Sequence, residues 1–459
     1  MNPLYIAALL LVAWELAVRR GLFGGLRFSL PRVSAQFVLP AGLLLLVAFA
    51  AQLGLVDYQA QHDGWRPAWF ALSPYHLDAD VLGVGPAHRL ISFGSLLLAL
   101  LQTALLVVVV AGIAQAPPKS IARKVPFLIA AGFALLALSA PALTSMDVLG
   151  YVGLGMLGSH AYAAPPGFFH DGYARLFHEW PLRPTIYGPL WVGLNAAVVA
   201  FGTTFAAKIL ALRIFGALLI AAMFVLARAL GAGRATQWAI ALNPMLWFQF
   251  VSNAHNDALA IVLVLGAVLA VVRRYPWIAV VLIAAAGLVK LPFLVFGAIV
   301  FVRTGRLGAI AYTAAAVLGC IGISAMFGGH EYLNALLATA HERGVDWRPE
   351  VSLAKGIVVA VALGATAAAL LTGRVSGFAG WLYTGLAPVL FPWYLAWMIA
   401  YAAAIGTGIL EALIALPVLA ALADGVNALD DVSLLIALAV TVFVVVTARR
   451  RRAALLQPV

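Results

Sequence analysis

Residues 273–306 read RRYPWIAVVLIAAAGLVKLPFLVFGAIVFVRTGR, an apolar run with basic residues at both ends and one internal charge, Lys290. A hydrocarbon layer is about 30 Å thick and takes about 20 helical residues to cross. The 27 residues from 276 to 302 are too few to cross twice, yet both ends carry the arginines that mark a single face. Two half-helices with Lys290-Leu291-Pro292 at their tip satisfy both conditions. Broken backbone at membrane depth survives only where protein or water covers it, so the tip marks a cavity.

The rest of the chain has the same character. It is 64% hydrophobic and only 10% charged, against about 45–50% and about 25% in soluble domains. Mean hydropathy is +1.03. The expected fold class is all-α: a polytopic transmembrane helical bundle forming one integral membrane domain over residues 1–459. Alternating strands of about 10 residues, the mark of a membrane barrel, are absent. The net charge of +11 does not indicate nucleic-acid binding, because Arg and Lys gather at helix ends: Arg19, Arg20, Arg27 and Arg32; Lys119, Arg123 and Lys124; Arg273 and Arg274; Arg303 and Arg306; Arg449 to Arg452. These are the expected cytoplasmic loops. The one cysteine, Cys320, excludes an intramolecular disulfide. The start, MNPLYIAALLLVAWELAVRR, reads as a retained helix and not as a signal peptide.

Carboxylates and histidines sort to the opposite side. Fifteen of the seventeen carboxylates and all nine histidines fall within residues 57–88, 142–183, 255–257, 330–350 and 424–431. Alternation of the two kinds of segment gives the topology. Residues 3–18 run inward and 36–56 outward to a first outer loop, 57–88. Residues 90–115 return, and 125–141 lead to a second outer loop, 142–185. Residues 186–227 hold two apolar runs where parity demands an odd number of crossings, so one is re-entrant or lies along the membrane. Residues 235–252 reach His255, and 258–272 return to Arg273. Residues 307–327 run out to a loop at 328–352, and 353–372 return to Arg374. The block 376–423 needs three short crossings, and the tail at 449–452 ends inside. The total is about 12 to 14 spans. It divides into N-terminal helices (1–140), a central module (141–400) and C-terminal helices (401–459), with no fixed-period repeat and no appended soluble domain.

Chemistry concentrates at a few interruptions. Asp147, in LTSMDVLGYVGLG, stands just past a span and ahead of the larger outer loop. It is either a helix cap on a solvated edge or a general base for a hydroxyl arriving from outside. His255-Asn256-Asp257 splits two apolar runs and serves as an N-cap, a pocket lining or both. As a metal signal, two ligands two residues apart are weak. Lys290 is the only charge in the 28 residues between Arg274 and Arg303. It either snorkels to water or, fixed at the break, meets an anionic headgroup such as a phosphate. Most of the twelve Trp fit an interfacial belt. Trp393 and Tyr394 differ, because a proline break sets them inside the bundle, where rings stack on sugars or line an isoprenoid groove. Glu15 and Glu411 read as inter-helix hydrogen-bonding groups. No nucleotide loop is present: Gly231-Ala232-Gly233 and Gly83-Val84-Gly85 lack a strand-turn-helix context.

In order along the chain stand Asp147 and Tyr151 as D-x₃-Y, YGPLW at 187–191, NP at 243–244, HNDAL at 255–259, the break VKLP at 289–292 and PWYLAW at 392–397. This order resembles the integral-membrane glycosyltransferases of the GT-C architecture, most closely the bacterial polyprenol-phosphate-mannose-dependent α-1,6-mannosyltransferases. The resemblance covers roughly residues 140–400. It implies a sugar donor linked to polyprenyl phosphate, a glycan or glycolipid acceptor, and inverting transfer on the outer face of the bacterial cytoplasmic membrane. Asp147 would be the base, and Lys290 would hold the lipid phosphate. His255, Asn256, Asp257 and Arg213 would bind the donor, and Lys208 is an alternative to Arg213. Tyr151, Tyr162, Tyr187, Trp393 and Tyr394 would line the substrate and lipid groove. The departing phosphate already carries its charge, so no metal and no other cofactor is expected, and no nucleic acid is a partner. The competing reading is a transporter or lipid flippase, which also uses broken helices and a polar midplane.

Overall fold

The computed structural model describes residues 30–62, 86–140, 147–162, 185–336, 392–405 and 409–427, with side chains outside the description at 56–62, 86–93, 392–393, 405 and 422–427. Every regular element among the described residues is helical. The principal helices are α1 (Val38–His62), α2 (Pro86–Gln115), α3 (Val125–Ser139), α4 (Asp147–Leu157), α5 (Pro189–Ala200), α6 (Phe205–Ala229), α7 (Arg234–Ala241), α8 (Asp257–Val272), α9 (Pro276–Val289), α10 (Val295–Phe301), α11 (Arg306–Phe327), α12 (Trp397–Ile405) and α13 (Ile409–Asn427). Prolines stand in the first turns of α3, α5 and α9, where a missing N–H costs nothing. Thr204 caps α6 by accepting from the Ala207 N–H.

Among the described residues, five stretches are long and apolar enough to cross a membrane: Ala35–Leu55, Gly94–Gln115, Ile121–Ser139, Phe205–Ala229 and Arg306–Phe327. A sixth passes only as a bent pair, Arg234–Ser252 with Asp257–Val272, whose halves are inclined at 119°. Leucines 39, 43 and 44 of α1, Phe127, Leu128 and Leu135 of α3, and Leu307, Leu318 and Phe327 of α11 face outward, uncovered by protein. So large an apolar exterior suits hydrocarbon and not water. The protein is a multi-pass, all-helical membrane protein.

The two parity problems resolve as short helices. α5 has 12 residues, so it is about 18 Å long and cannot cross; α6, with 25 residues, can. α9 ends at Val289, Lys290 is extended (φ −152°, ψ 113°), and a 3₁₀ turn at Leu291–Leu294 leads into α10. A Cβ on Gly297 would lie 3.2 Å from Ile283 Cγ2, although the two residues would be about 21 Å apart in a straight helix. The Tyr312 ring of α11 meets both Trp277 (5.1 Å) and Phe301 (5.5 Å), which brings the two ends of the segment together. Residues 276–302 are therefore a re-entrant hairpin with Lys290 at its tip.

One expected boundary is corrected, and several segments are left aside. The helix expected over 36–56 does not stop at 56, because α1 continues through residues 57–62. The span at 3–18, most of the loop at 57–88, residues 163–183, the crossing at 353–372 and the tail at 449–452 lie outside the described residues.

Candidate active site

Three helix ends converge on one place. Asp147 opens α4, Asp257 opens α8, and Lys290 follows the last residue of α9. Carboxylates therefore stand at helix N-termini and the ammonium at a helix C-terminus, each the favourable sense for the peptide dipoles. Both α8 and α9 carry Arg273 and Arg274 at their other ends. The 14 residues of α9 put Lys290 about 20 Å from those arginines.

The charges are paired. His255 Nδ1 lies 3.1 Å from Asp147 Oδ2. Lys290 Nζ donates to both oxygens of Asp257, at 2.9 and 3.0 Å. Residues 255 to 257 are consecutive, so one tripeptide bridges Asp147 to Lys290. The Asp257 side chain is fully buried, whereas that of Lys290 keeps 11% exposure. Of the alternatives for this triplet, the N-cap position falls on Asn256, though without a side-chain cap bond. Both polar atoms of the Asn256 amide are buried with no hydrogen-bond partner among the described residues.

Aromatic rings enclose the pair. Lys290 Nζ sits 4.2 Å from the centroid of the Tyr394 ring and 5.6 Å from that of Trp397. Trp397 Nε1–H donates to Asp257 Oδ1 at 2.6 Å. Its ring packs on Tyr394 at 4.8 Å and Phe293 at 4.6 Å. On α4, Tyr151 lies one turn after Asp147, and its hydroxyl donates to the Tyr187 hydroxyl at 3.3 Å. The Tyr162 hydroxyl donates to the Tyr187 carbonyl at 2.8 Å, and Trp191 packs on Tyr151 at 5.0 Å. Three of the four tyrosines expected to line the groove, Tyr151, Tyr162 and Tyr187, are thus joined by hydrogen bonds.

The backbone explains how the tripeptide is presented. After Pro244–Leu246 the chain widens into a π-helical turn, Trp247–Ser252, with the Asn253 N–H on the Phe248 carbonyl. Such turns recur at functional sites. Ala254 then takes φ +53°, a strained conformation for a residue with a Cβ. α6 holds this turn in place. A Cβ on Gly216 would run into the Phe250 carbonyl, so only glycine allows the approach. One turn earlier, Arg213 donates to the Ser252 carbonyl and the Leu138 carbonyl, both at 3.0 Å. Arg213 therefore braces the turn before His255. Lys208 donates to the Val199 and Gly202 carbonyls and closes the end of α5. At the start of α5, the Gly188 N–H donates to the Val289 carbonyl at 3.3 Å. A Cβ on Gly188 would collide with the Leu288 carbonyl. The half-helices α5 and α9 thus abut immediately beside Lys290.

Asp147, His255, Asp257, Lys290 and Tyr394 come together as a cluster. Lys290, the one charge of its apolar run, and Asp147 each have a charged or chargeable partner. The NP at 243–244 is a latch: Asn243 caps the Pro244 turn and donates to the Leu413 carbonyl at 2.7 Å. Trp393 was expected to line the groove, but its side chain lies outside the description. Sequence reasoning passed over Trp397. The available signal was its spacing three residues after Tyr394, which puts both on one helical face. Among the described residues, no three His, Cys, Asp or Glu side chains gather as a metal-type group.

No curated protein and no solved structure matches the chain. The family model described as "Alpha-(1->6)-mannopyranosyltransferase, N-terminal domain" matches residues 60–306, a stretch that includes Asp147, the His255–Asp257 tripeptide and Lys290 and stops short of Tyr394 and Trp397. That is more than half of the chain, so it belongs to this family of mannosyltransferases and is a membrane glycosyltransferase.

Proposed function

We propose that this protein moves a mannosyl unit from a polyprenyl-phosphate donor to a hydroxyl of a glycan or glycolipid acceptor. The reaction would run on the outer face of the bacterial cytoplasmic membrane, with inversion at the anomeric carbon. The observation that carries this reading is the bridge from Asp147 through His255 and Asp257 to Lys290 at the tip of a re-entrant hairpin. A base and a cation so joined at membrane depth suit a substrate whose leaving group is a lipid phosphate. Arg273 and Arg274 stand at the ends of α8 and α9 away from the site and read as cytoplasmic, which supports an outward-facing site.

In the reaction, the acceptor oxygen forms a bond to the anomeric carbon as that carbon's bond to the phosphate oxygen breaks. The hydroxyl proton passes to Asp147, which His255 orients. The phosphate leaves with the bonding electron pair. Lys290, held over Tyr394, faces the added negative charge; the buried Asp257 balances the ammonium when the site is empty. General-base assistance of this kind contributes about 10² to 10⁴ in rate. Because the cation is built in, a divalent metal is not required in this scheme.

The test is transfer of radiolabelled mannose from a polyprenyl-phosphate donor by purified protein in detergent, with and without a chelator. Transfer that survives chelation and disappears in Asp147→Asn is the expected result. A protein that carries the lipid-linked sugar across vesicles without forming a glycosidic bond would instead be a transporter, and full activity in Asp147→Asn would remove the assigned base.

A further inference from the structure

Asp257 is a carboxylate with no exposed surface. A buried charge needs more than one partner to offset its lost hydration. Lys290 supplies contacts to both oxygens, and the remaining donor comes from far along the chain: the Trp397 indole, 2.6 Å from Oδ1. That distance marks a short, charge-assisted hydrogen bond. Trp397 is itself fully buried and opens α12, outside the stretch matched by the family model. One turn earlier, Tyr394 puts its ring 4.2 Å from the Lys290 ammonium. A single turn of helix thus touches the anion of the pair with one side chain and the cation with another.

We infer that Trp397 is a positioning residue for donor binding: its N–H fixes Asp257, and Asp257 in turn holds the Lys290 ammonium above Tyr394, turned toward the lipid-linked phosphate. The inference rests on the reading of Lys290 as the phosphate-facing cation. Without the indole donor, Asp257 keeps only Lys290 among the described residues, and it is free to pivot on that partner and draw the ammonium out of line. A consequence is that the C-terminal helices complete an anion seat whose charged members all lie in the matched N-terminal stretch.

Two variants isolate the donor atom. Trp397→Phe keeps an aromatic ring, and benzothienylalanine incorporated at 397 keeps the indole shape while lacking the N–H. Binding of radiolabelled polyprenyl monophosphate, which carries no sugar, is measured on the full-length purified protein beside transfer kinetics. Loss of a hydrogen bond to a charged group corresponds to an effect of about ten- to hundredfold. Both variants should lose lipid-phosphate affinity by about that factor and raise the donor KM, with the acceptor KM unchanged. In an Asp257→Asn background, Trp397→Phe should add little, because the two act as one unit. A purely packing role would lower the yield of folded protein and leave the donor KM of the remainder where it was.

Wild-type affinity in both variants, or independent multiplication of the Trp397 and Asp257 effects, overturns the inference. So does a wild-type protein that transfers mannose without measurable affinity for the lipid phosphate. A wild-type protein that binds the lipid phosphate in an indole-dependent way, yet transfers no mannose, would refute the proposed reaction and leave the role of Trp397 standing.

Discussion

Replacing Lys290 by methionine should destabilise the protein more than replacing Lys290 and Asp257 together. The pair is in contact at 2.9 and 3.0 Å, and the carboxylate has no exposure. At an effective dielectric of about 20, unit charges at that separation attract by about 6 kcal/mol. Burial of both ions offsets much of this, so the intact pair adds little net stability. Removing one partner is different: it strands the other and costs about 3–5 kcal/mol. In Lys290→Met, the Asp257 carboxylate would keep, among the described residues, only the Trp397 donor. In Lys290→Met with Asp257→Asn, the charge is gone and the amide oxygen still accepts from Trp397. Most of the loss should therefore return. Unfolding in mixed micelles, titrated with a denaturing detergent and followed by far-ultraviolet circular dichroism, gives the ordering without reference to activity. A single variant within about 1 kcal/mol of wild type, or a double variant as unstable as the single, would show that the pair is solvated or broken in the membrane, and the burial argument fails.

Other perturbations separate chemistry from scaffold. Asp147→Asn keeps an oxygen toward His255, so its unfolding should match wild type while kcat falls by about 10² to 10⁴; a loss of stability of similar weight would mark Asp147 as structural. Gly188→Ala should cost about 1–3 kcal/mol and Gly188→Val more, because either side chain meets the Leu288 carbonyl; an unchanged unfolding midpoint would place α5 and α9 apart. Arg213→Met leaves the Ser252 and Leu138 carbonyls without their donor, with an expected loss of about 1–3 kcal/mol for each carbonyl that stays buried and unpaired. Donor affinity and stability should fall together in that variant; lost affinity at wild-type stability would make Arg213 a direct ligand instead.

The hairpin at 276–302 was legible because two independent constraints met in one short segment. Basic residues at both ends required the same face, and the length forbade two full crossings. The same parity reasoning found the short run in 186–227, now α5. The site was legible to the extent that expensive residues announce themselves: a carboxylate or ammonium in an apolar run needs a reason. What those residues touch was not. Lys290 read as a lone cation because its counter-ion, Asp257, is 33 residues away, and the brace that Arg213 gives the turn was hidden because its backbone partners leave no trace in side-chain chemistry. The role of Trp397 was hidden because tryptophan is the ordinary residue of a membrane interface; only its partner 140 residues away sets it apart.

Hydropathy and the sorting of charge determined, unaided, that this chain is a multi-pass helical membrane protein. They could do so because the bilayer imposes one thickness and one penalty on every segment regardless of its neighbours. The pairing of Asp147 with His255 and of Lys290 with Asp257, the seating of that second pair on Tyr394 and Trp397, and the bracing of the π-turn by Arg213 belong to the tertiary structure. Such contacts act over about 3 Å and depend on which helix ends packing brings together, a matter no local pattern encodes.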